Sequence, residues 1–323
     1  MKRNQFLQGV AIALCLTAAS TGMAQGYPDR PIRLVVPFPA AGATDLFARS
    51  LAQKMGEKLG QQLVVENKPG AGGEIGSEVV AKAAPDGYTL LLATTSTHAI
   101  APAIYPHLPY DTVRDFTPIV HVGDAPSIML VPLNSPAKAV QEWIDYARKH
   151  PGKLNYGSSG NGTIVQLTTE LFKSQAGVSV THIPYKGTAL AMPDLMSGKI
   201  DVVFDALPTG LPFVREGRLR ALAVTSLERS PLAPDLPTVA ETLPGFESNT
   251  WFGLYGPRGL PADVVARVNA AANQALADSG LRQKLARLGI VAAGGTPQEF
   301  AALVAQDAAK WKKIIVEHHI TVN

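Results

Sequence analysis

The sequence predicts an α/β protein of two lobes with a ligand cleft between them, and three observations support this fold class. Short apolar stretches that are typical of buried strands alternate with amphipathic stretches that are typical of helices, which favours a parallel sheet. The alternation begins afresh after a middle stretch of the chain, which favours a second lobe. Loops rich in glycine follow several of the strands, at the edge where α/β sheets bind ligands.

The first lobe is predicted to start with strand–helix–strand units, whose strands run parallel. Thr44 is a candidate cap for a helix that carries apolar residues on one face and ends at Gly60. A second helix is predicted over 74–84. The apolar runs that predict the strands lie at 32–36, 63–65 and 90–93.

The middle of the chain predicts the second lobe. Two stretches, at 119–122 and 128–131, have the pattern of extended chain, and Ser135-Pro136 is predicted to open a helix. A segment at 227–249, rich in proline and polar residues, is predicted to cross back to the first lobe. Between these lie apolar runs that predict strands at 154–156, 180–183, 202–204 and 219–224.

The C-terminal part is predicted to return to the first lobe. A strand at 251–255 is followed by a helix that Pro261 opens, and Thr296 and Glu299 have the spacing of a capping box that starts the last helix. We therefore predict lobe 1 from residues 25–125 and 246–323, and lobe 2 from residues 126–245. The chain would cross twice between the lobes, and the crevice between them is the predicted ligand cleft.

Composition excludes several classes of protein. Of the 323 residues, 46% are hydrophobic and 17% are charged, so the chain can bury a sizeable core. The net charge is only +3 and no run of basic residues occurs, which argues against a nucleic-acid partner. The single cysteine, Cys15, excludes a disulfide framework and a cysteine-based metal site. We predict no cofactor and no bound metal.

The first residues have the pattern of a secretory signal peptide. Lys2 and Arg3 are followed by an apolar stretch at 6–16, and small residues around Met23 precede a predicted cleavage site after Ala24. The apolar stretch is too short to span a bilayer. We therefore predict that residues 1–24 are removed and that the protein is exported.

Four loops, at 37–44, 67–73, 157–163 and 184–187, join a strand end to a helix start through small residues. The N–H groups and the partial positive charge of a helix N-terminus bind anions without a cationic side chain. Lys68 and Lys186 are the only cations in these loops. The pattern predicts a small carboxylated ligand, although glycine and proline in such loops are also common turn residues.

Catalytic motifs are incomplete. The stretch at 70–76 resembles a dinucleotide-binding loop, but its third glycine is displaced by one position. Gly157-Ser158-Ser159-Gly160 lacks the spacing of a nucleophile elbow. We therefore predict a protein without catalytic activity. The alternative is a secreted serine hydrolase in which Ser158 or Ser159 is activated by His98 or His182.

The chain resembles a known family, the Bug-type periplasmic solute receptors of tripartite tricarboxylate transporters. The resemblance covers essentially the whole chain after residue 24, and the order and spacing of its motifs make it specific. At Ala41 this chain departs from the pattern, since a glycine is common there. The motifs are Tyr27-Pro28-Asp29-Arg30-Pro31-Ile32, Val36-Pro37-Phe38, Thr44-Asp45, Glu66-Asn67-Lys68-Pro69-Gly70-Ala71-Gly72-Gly73, Pro85-Asp86-Gly87-Tyr88-Thr89-Leu90, the loop 157–163, Pro184-Tyr185-Lys186-Gly187, Gly198-Lys199-Ile200-Asp201 and Trp251-Phe252-Gly253.

The resemblance implies a two-lobed periplasmic-binding-protein fold of type II-like topology that closes over a carboxylate. The expected ligands are di- or tricarboxylates, aromatic acids or amino acids. The implied partners are the inner-membrane permease subunits of the transporter, and the protein is expected to be a periplasmic monomer. A ligand-presenting sensor subunit for a membrane kinase is a further alternative.

Candidate ligand-binding residues come from the loops and strand ends. The resemblance implies backbone contacts from the first loop and from the loop 157–163, and it implies that Asp205 meets the variable end of the ligand. Asp45 is either structural or faces a positive group of the ligand. The complete set of predicted site residues is Phe38, Gly42, Ala43, Thr44, Asp45, Thr94, Thr95, Ser158, Gly162, Thr163, Lys186, Gly187 and Asp205.

Overall fold

The computed structural model describes residues 26–321. The predicted signal peptide, residues 1–24, lies outside these residues and stays a prediction. Among the described residues, no helix has the length and apolar content needed to cross a bilayer.

The N-terminal part forms the predicted parallel strand–helix–strand units, with β1 paired to both β2 and β3. The helix α1 buries one apolar face and ends at Gly60, which adopts a left-handed conformation. Thr44 was predicted to cap α1, but the helix begins one residue earlier and Gly42 occupies the cap position. The bounds are β1 Ile32–Val36, α1 Ala43–Leu59, β2 Leu63–Asn67, α2 Glu74–Ala81 and β3 Thr89–Thr94.

One long strand, β4 (Phe116–Pro132), replaces the two separate extended stretches of the prediction. The strand β9 (Asn249–Pro257) pairs with its first part, and its second part pairs with strands from the middle of the chain. The residues between the two predicted stretches are themselves paired, Gly123 to Pro126 with β9 and Ser127 with Ala206, and the register shifts of β4 lie just before Val120 and Gly123. A π-helical turn at Ser96–Ile100 and the short helix α3 (Ala101–Ile104) precede β4.

The middle of the chain forms a second parallel unit in which β5 pairs with both β6 and β7. The helix α4 begins at Val140 and not at Ser135 as predicted. The guanidinium of Arg220 binds the carbonyl oxygens of Leu133, Ser135 and Ala137, which keeps the preceding segment out of a helix. The bounds are α4 Val140–Lys149, β5 Leu154–Ser158, α5 Ile164–Ala176, β6 Val180–Pro184, α6 Met192–Met196, β7 Val202–Ala206, α7 Leu207–Arg215 and β8 Leu219–Val224.

The C-terminal part returns to the first strands through β9. The predicted capping box is present: the Thr296 hydroxyl accepts from Glu299 N–H at 3.2 Å, and the Glu299 carboxylate accepts from Thr296 N–H at 2.7 Å. An additional helix, α9, was not predicted. The bounds are α8 Ala262–Ala277, α9 Ser279–Arg287, β10 Val291–Ala292 and α10 Pro297–Glu317.

All strands join one curved sheet in the order β2-β1-β3-β9-β4-β7-β5-β6, with β8 and β10 also paired to β4. Two apolar clusters draw mainly on residues before Pro126 and after Asn249, and two draw mainly on residues between them. The first turns of α5 pack into a cluster of the first group. The exact lobe boundaries stay a prediction.

Candidate ligand-binding site

A cavity of about 310 Å³ lies where the loop after β1 meets the loops after β6 and β7. Its wall is mainly apolar, and its polar part consists mostly of hydroxyl groups and backbone. The lining residues are Phe38, Pro39, Ala40, Gly42, Ala43, Thr44, Thr94, Ser96, Ser127, Ser159, Ile164, Val165, Lys186, Gly187, Thr188, Ala189, Leu190, Asp205, Ala206, Thr209, Thr250 and Phe252.

The structure brings many of the predicted site residues together at this wall. These are Phe38, Gly42, Ala43, Thr44, Thr94, Lys186, Gly187 and Asp205. Other predicted residues lie outside the wall, and each has a hydrogen-bond partner within the protein, through its side chain or, at Gly162, through its backbone N–H. These are Asp45, Thr95, Ser158, Gly162 and Thr163. That any of them contacts a ligand stays a prediction.

The buried Asp45 carboxylate supports the first loop from behind. It accepts hydrogen bonds from Ala41 N–H at 2.9 Å, from Arg49 Nε at 3.0 Å and from Asn67 Nδ2 at 3.0 Å. Burial alone would raise the pKa of this carboxyl, but the hydrogen bonds from Arg49, Ala41 and Asn67 hold the pKa below its usual range. Asp45 therefore holds the first loop in place, and its contact with a ligand stays a prediction. Ala41 has φ of 63°, so this alanine adopts the left-handed conformation that favours glycine.

The threonine that ends β3, Thr94, and the threonine that follows it, Thr95, have different surroundings. The Thr95 hydroxyl accepts from Trp251 N–H at 3.0 Å and thereby joins β3 to β9. The Thr94 hydroxyl oxygen is buried at the cavity wall and has no hydrogen-bond partner among the described residues. A buried polar group without a partner is costly, so Thr94 is a candidate to bind a polar atom of a ligand.

A directional chain of hydrogen bonds positions the loop 157–163. Gln166 Oε1 accepts from Gly162 N–H at 2.7 Å, so its amide nitrogen faces His182 Nδ1 at 3.4 Å and donates to it. This assigns the proton of the neutral imidazole to Nε2, which lies 2.6 Å from Ser158 Oγ. Ser158 Oγ in turn donates to the carbonyl of Gly160 and accepts from its N–H. The N–H groups of Gly160 and Gly162 are therefore occupied within the protein.

The same chain argues against the hydrolase alternative. A general base must present a lone pair to the serine hydroxyl, whereas His182 presents an N–H to Ser158. Burial lowers the pKa of His182 to about 4, which keeps the ring neutral. His98 is also buried, with its ring stacked on Tyr255 at 4.4 Å and not at the cavity wall.

The loop 157–163 is also bonded to the segment that follows β3. The Tyr105 hydroxyl donates to the Asn161 carbonyl at 2.7 Å, and Ser96 Oγ accepts from Ile164 N–H at 2.9 Å. A Cβ atom at Gly162 would collide with the Tyr105 ring, and Gly162 has φ of 68°. This close approach requires glycine at that position.

Sequence reasoning missed several lining residues. Thr188 directly follows the predicted Lys186-Gly187 pair, so its position in the loop was an available signal. Ser159 lies in the loop 157–163 and was named only as a candidate nucleophile. The other polar residues lie on strands or helix starts, where a hydroxyl residue carries no distinguishing pattern. The missed polar residues are Ser96, Ser127, Thr188, Thr209 and Thr250, and the missed apolar ones include Leu190 and Phe252.

Within residues 26–321, no group of His, Cys, Asp and Glu side chains has the arrangement of a metal site.

The Thr163 hydroxyl donates its proton to the Gly160 carbonyl at 2.7 Å. Its predicted contact with the ligand stays a prediction. The arrangement as a whole is suited to enclosing a small molecule.

Comparison with known proteins identifies the family. Residues 47–320 match the family model described as "Tripartite tricarboxylate transporter family receptor". The chain is 35% identical to protein BugT of Bordetella pertussis over 98% of each chain. These matches confirm the resemblance predicted from the motifs, and they give no support to the hydrolase and sensor-subunit alternatives.

Solved structures agree with this assignment. The R. palustris protein Rpa4515, whose structure is described with adipate, is 37% identical, with a TM-score of 0.89 over 91% of this chain and 99% of that one. MatC of Rhodopseudomonas palustris, described with bound malate, is 35% identical, with a TM-score of 0.85 over 90% and 100%. The predicted periplasmic-binding-protein fold is confirmed. The chain belongs to the tripartite tricarboxylate transporter receptor family.

Proposed function

We propose that the protein is a periplasmic solute-binding protein that captures a small organic carboxylate for a tripartite tricarboxylate-type transporter. The observation that carries this proposal is the cavity wall of glycine-loop backbone and hydroxyl groups, in which the one cationic residue, Lys186, is exposed. Related proteins whose structures are described with adipate and with malate support the ligand class.

The first turn of α1 is the proposed carboxylate anchor. Its cap residue is Gly42, which has no side chain to bond the N–H groups of this turn. Ala43 and Thr44 line the cavity. The N–H groups of a first helical turn have no partners within the helix and carry partial positive charge. The unpartnered Thr94 hydroxyl adds a donor at the same wall. A carboxylate satisfies both sets of donors at once.

The protein is proposed to act without catalysis. The family consists of receptors, and the tautomer of His182 is unsuited to activating Ser158. The predicted signal peptide and the family support a periplasmic location. Ligand binding would favour the closed form, which would dock on the permease subunits as a monomer.

Calorimetric titration tests this function. The panel contains monocarboxylates, dicarboxylates such as adipate and malate, tricarboxylates, amino acids, glucose and putrescine. We expect tight binding by at least one organic acid and none by glucose or putrescine. Tight binding of glucose or putrescine, with no binding by any acid, would refute the proposal.

A further inference from the structure

Asp205 introduces a second carboxyl group into a cavity proposed to bind a carboxylate. It lies near the end of β7 and is only 2% exposed. The Thr188 hydroxyl, the Thr209 hydroxyl and Ala206 N–H lie beside its carboxyl group, and the Thr209 hydroxyl donates its proton to the Ala206 carbonyl at 3.0 Å. Both threonines line the same cavity, so this cluster forms one part of its wall.

No cation compensates the Asp205 carboxyl within the described part of the chain. Burial is the largest influence on this group and raises the pKa of the Asp205 carboxyl, while the nearby polar groups of Thr188, Thr209 and Ala206 oppose that effect. None of these influences comes from a charged residue. Burial without a compensating charge favours the neutral acid over the carboxylate.

The neighbouring elements contribute few charges. On β4, the residues paired with Asp205 and Ala206 are Ile128 and Ser127, which are uncharged. Lys186 is the other charged residue of the wall, and its side chain is exposed. On α7, Arg215 lies at the far end of the helix, where it donates to the Leu232 carbonyl. At the start of β7, the Asp201 carboxylate accepts from Asn155 N–H.

An ionised Asp205 and a ligand carboxylate in the same small cavity would repel each other strongly, because the low dielectric of a buried site weakens screening. One proton shared between them removes the repulsion and makes a hydrogen bond. An ammonium or hydroxyl group of the ligand supplies that proton itself. A second carboxylate on the ligand carries no proton to supply. The shared proton must then already reside on Asp205 or be taken up from solution.

We propose that Asp205 is a specificity-determining residue. Its carboxyl group shares one proton with the end of the ligand that lies opposite the anchored carboxylate. Ligands with an ammonium or hydroxyl group at that end meet the requirement directly, and dicarboxylates meet it by binding with one additional proton. This inference rests on the proposed function, because the other end of the ligand is the carboxylate held at α1.

Matched pairs of ligands test the inference on the unmodified protein. The probes are α,ω-dicarboxylates and ω-amino acids of four to eight carbon atoms, such as adipate and 6-aminohexanoate. Calorimetry in two buffers of different ionisation enthalpy at one pH counts the protons taken up or released. We expect binding of the dicarboxylate to take up one proton more than binding of the matched ω-amino acid does. This difference should be the same whichever state Asp205 has in the free protein.

Substitution of Asp205 gives the second measurement. Asp205→Asn should improve the affinity for the dicarboxylate relative to its ω-amino partner at least tenfold and should abolish the difference of one proton. The control Asp145→Asn, at an exposed site on α4, makes the same side-chain substitution and should alter neither quantity. If Asp205→Asn fails to fold, the proton count on the unmodified protein decides.

The outcomes separate this inference from the proposed function. Equal proton counts in the two complexes, or an unchanged preference in Asp205→Asn, would overturn the role of Asp205 and leave carboxylate capture intact. Dicarboxylate binding alone, with no binding of any matched ω-amino acid, would overturn it as well. A protein that binds no acid of either series or of the wider panel contradicts carboxylate capture itself.

Discussion

His182 Nε2 lies 2.6 Å from Ser158 Oγ, and the bonds made by Gln166 assign the proton between them to the histidine. Gln166 accepts from Gly162 N–H and faces the other ring nitrogen with its amide N–H group. This serine and histidine therefore hold a glycine-rich loop, and the direction of their hydrogen bond argues against nucleophilic attack. The identity of two residues does not define a catalytic pair unless the direction of the hydrogen bond is also known.

Gln166→Leu should destabilise the protein. The change leaves the buried Gly162 N–H and His182 Nδ1 without partners, and each unsatisfied group of this kind costs about 1–3 kcal/mol. Urea denaturation should therefore show a fall of about 2–6 kcal/mol in the free energy of unfolding. The exposed Gln141→Leu on α4 is the control, with an expected change within about 0.5 kcal/mol. A loss below that size for Gln166→Leu would contradict the hydrogen-bond chain.

Two buried histidines should make the protein sensitive to mild acid. Burial lowers the pKa of His98 to about 3 and that of His182 to about 4, while both titrate near 6.5 in the unfolded chain. The stability due to the neutral rings is therefore complete above pH 6.5 and is lost as the pH falls from 6.5 towards 4 and 3. The slope approaches two protons, or about 2.7 kcal/mol per pH unit.

Denaturation curves between pH 4.5 and 7.5 measure this slope. His98→Asn should remove about half of it, whereas His107→Asn, at an exposed position, should leave it unchanged. An undiminished slope in His98→Asn would show that other groups control the acid sensitivity.

Ala41 and Gly60 offer a matched pair for backbone strain. Ala41 has φ of 63° and Gly60 has φ of 74°, so both occupy the left-handed region that favours glycine. Ala41→Gly should raise the free energy of unfolding by up to about 1 kcal/mol, and Gly60→Ala should lower it by about 1 kcal/mol. Thermal and urea denaturation of both variants check the two signs. A less stable Ala41→Gly variant would contradict the strain at Ala41.

Thr94→Val should separate ligand binding from stability. The Thr94 hydroxyl oxygen has no partner in the described residues, so its replacement by a methyl group should leave stability unchanged or slightly raised. The affinity for the tightest acid should fall about tenfold, the effect of losing one hydrogen bond of about 1.4 kcal/mol to a charged group. Retained affinity would remove Thr94 from the site.

Thr97→Val is the control for that experiment. Its hydroxyl donates to the Thr94 carbonyl and accepts from Thr94 N–H, both at 3.1 Å. Loss of the Thr97 hydroxyl should therefore lower the free energy of unfolding by about 1–3 kcal/mol. Thr94→Val, in contrast, should leave that free energy unchanged or slightly raised.

Much of the fold could be predicted from local patterns. Gly60 marked the end of α1, and Thr296 with Glu299 marked the start of α10, because these signals depend on neighbouring residues alone. The start of α4 could not be predicted, since Arg220 binds the carbonyl groups that precede it from more than 80 residues away. The continuity of β4 likewise depends on its pairing with β9.

The candidate site likewise contains residues that a local sequence pattern predicts and residues that depend on distant partners. Gly42, Ala43 and Lys186 were found because glycine-rich loops after strands have a recognisable pattern. Gly162 was predicted to contact the ligand, yet its N–H is bound by Gln166, a partner that the loop sequence does not reveal. Hydroxyl residues such as Ser127 and Thr250 reach the wall only because β4 and β9 pair beside it.

A crystal structure with the tightest-binding acid of the panel tests the central claim most directly. The account predicts a carboxylate in the 310 Å³ cavity, within hydrogen-bond distance of the first-turn N–H groups of α1 and of Thr94 Oγ1. An acid bound outside this cavity, or bound within it by Lys186 alone, would contradict the account.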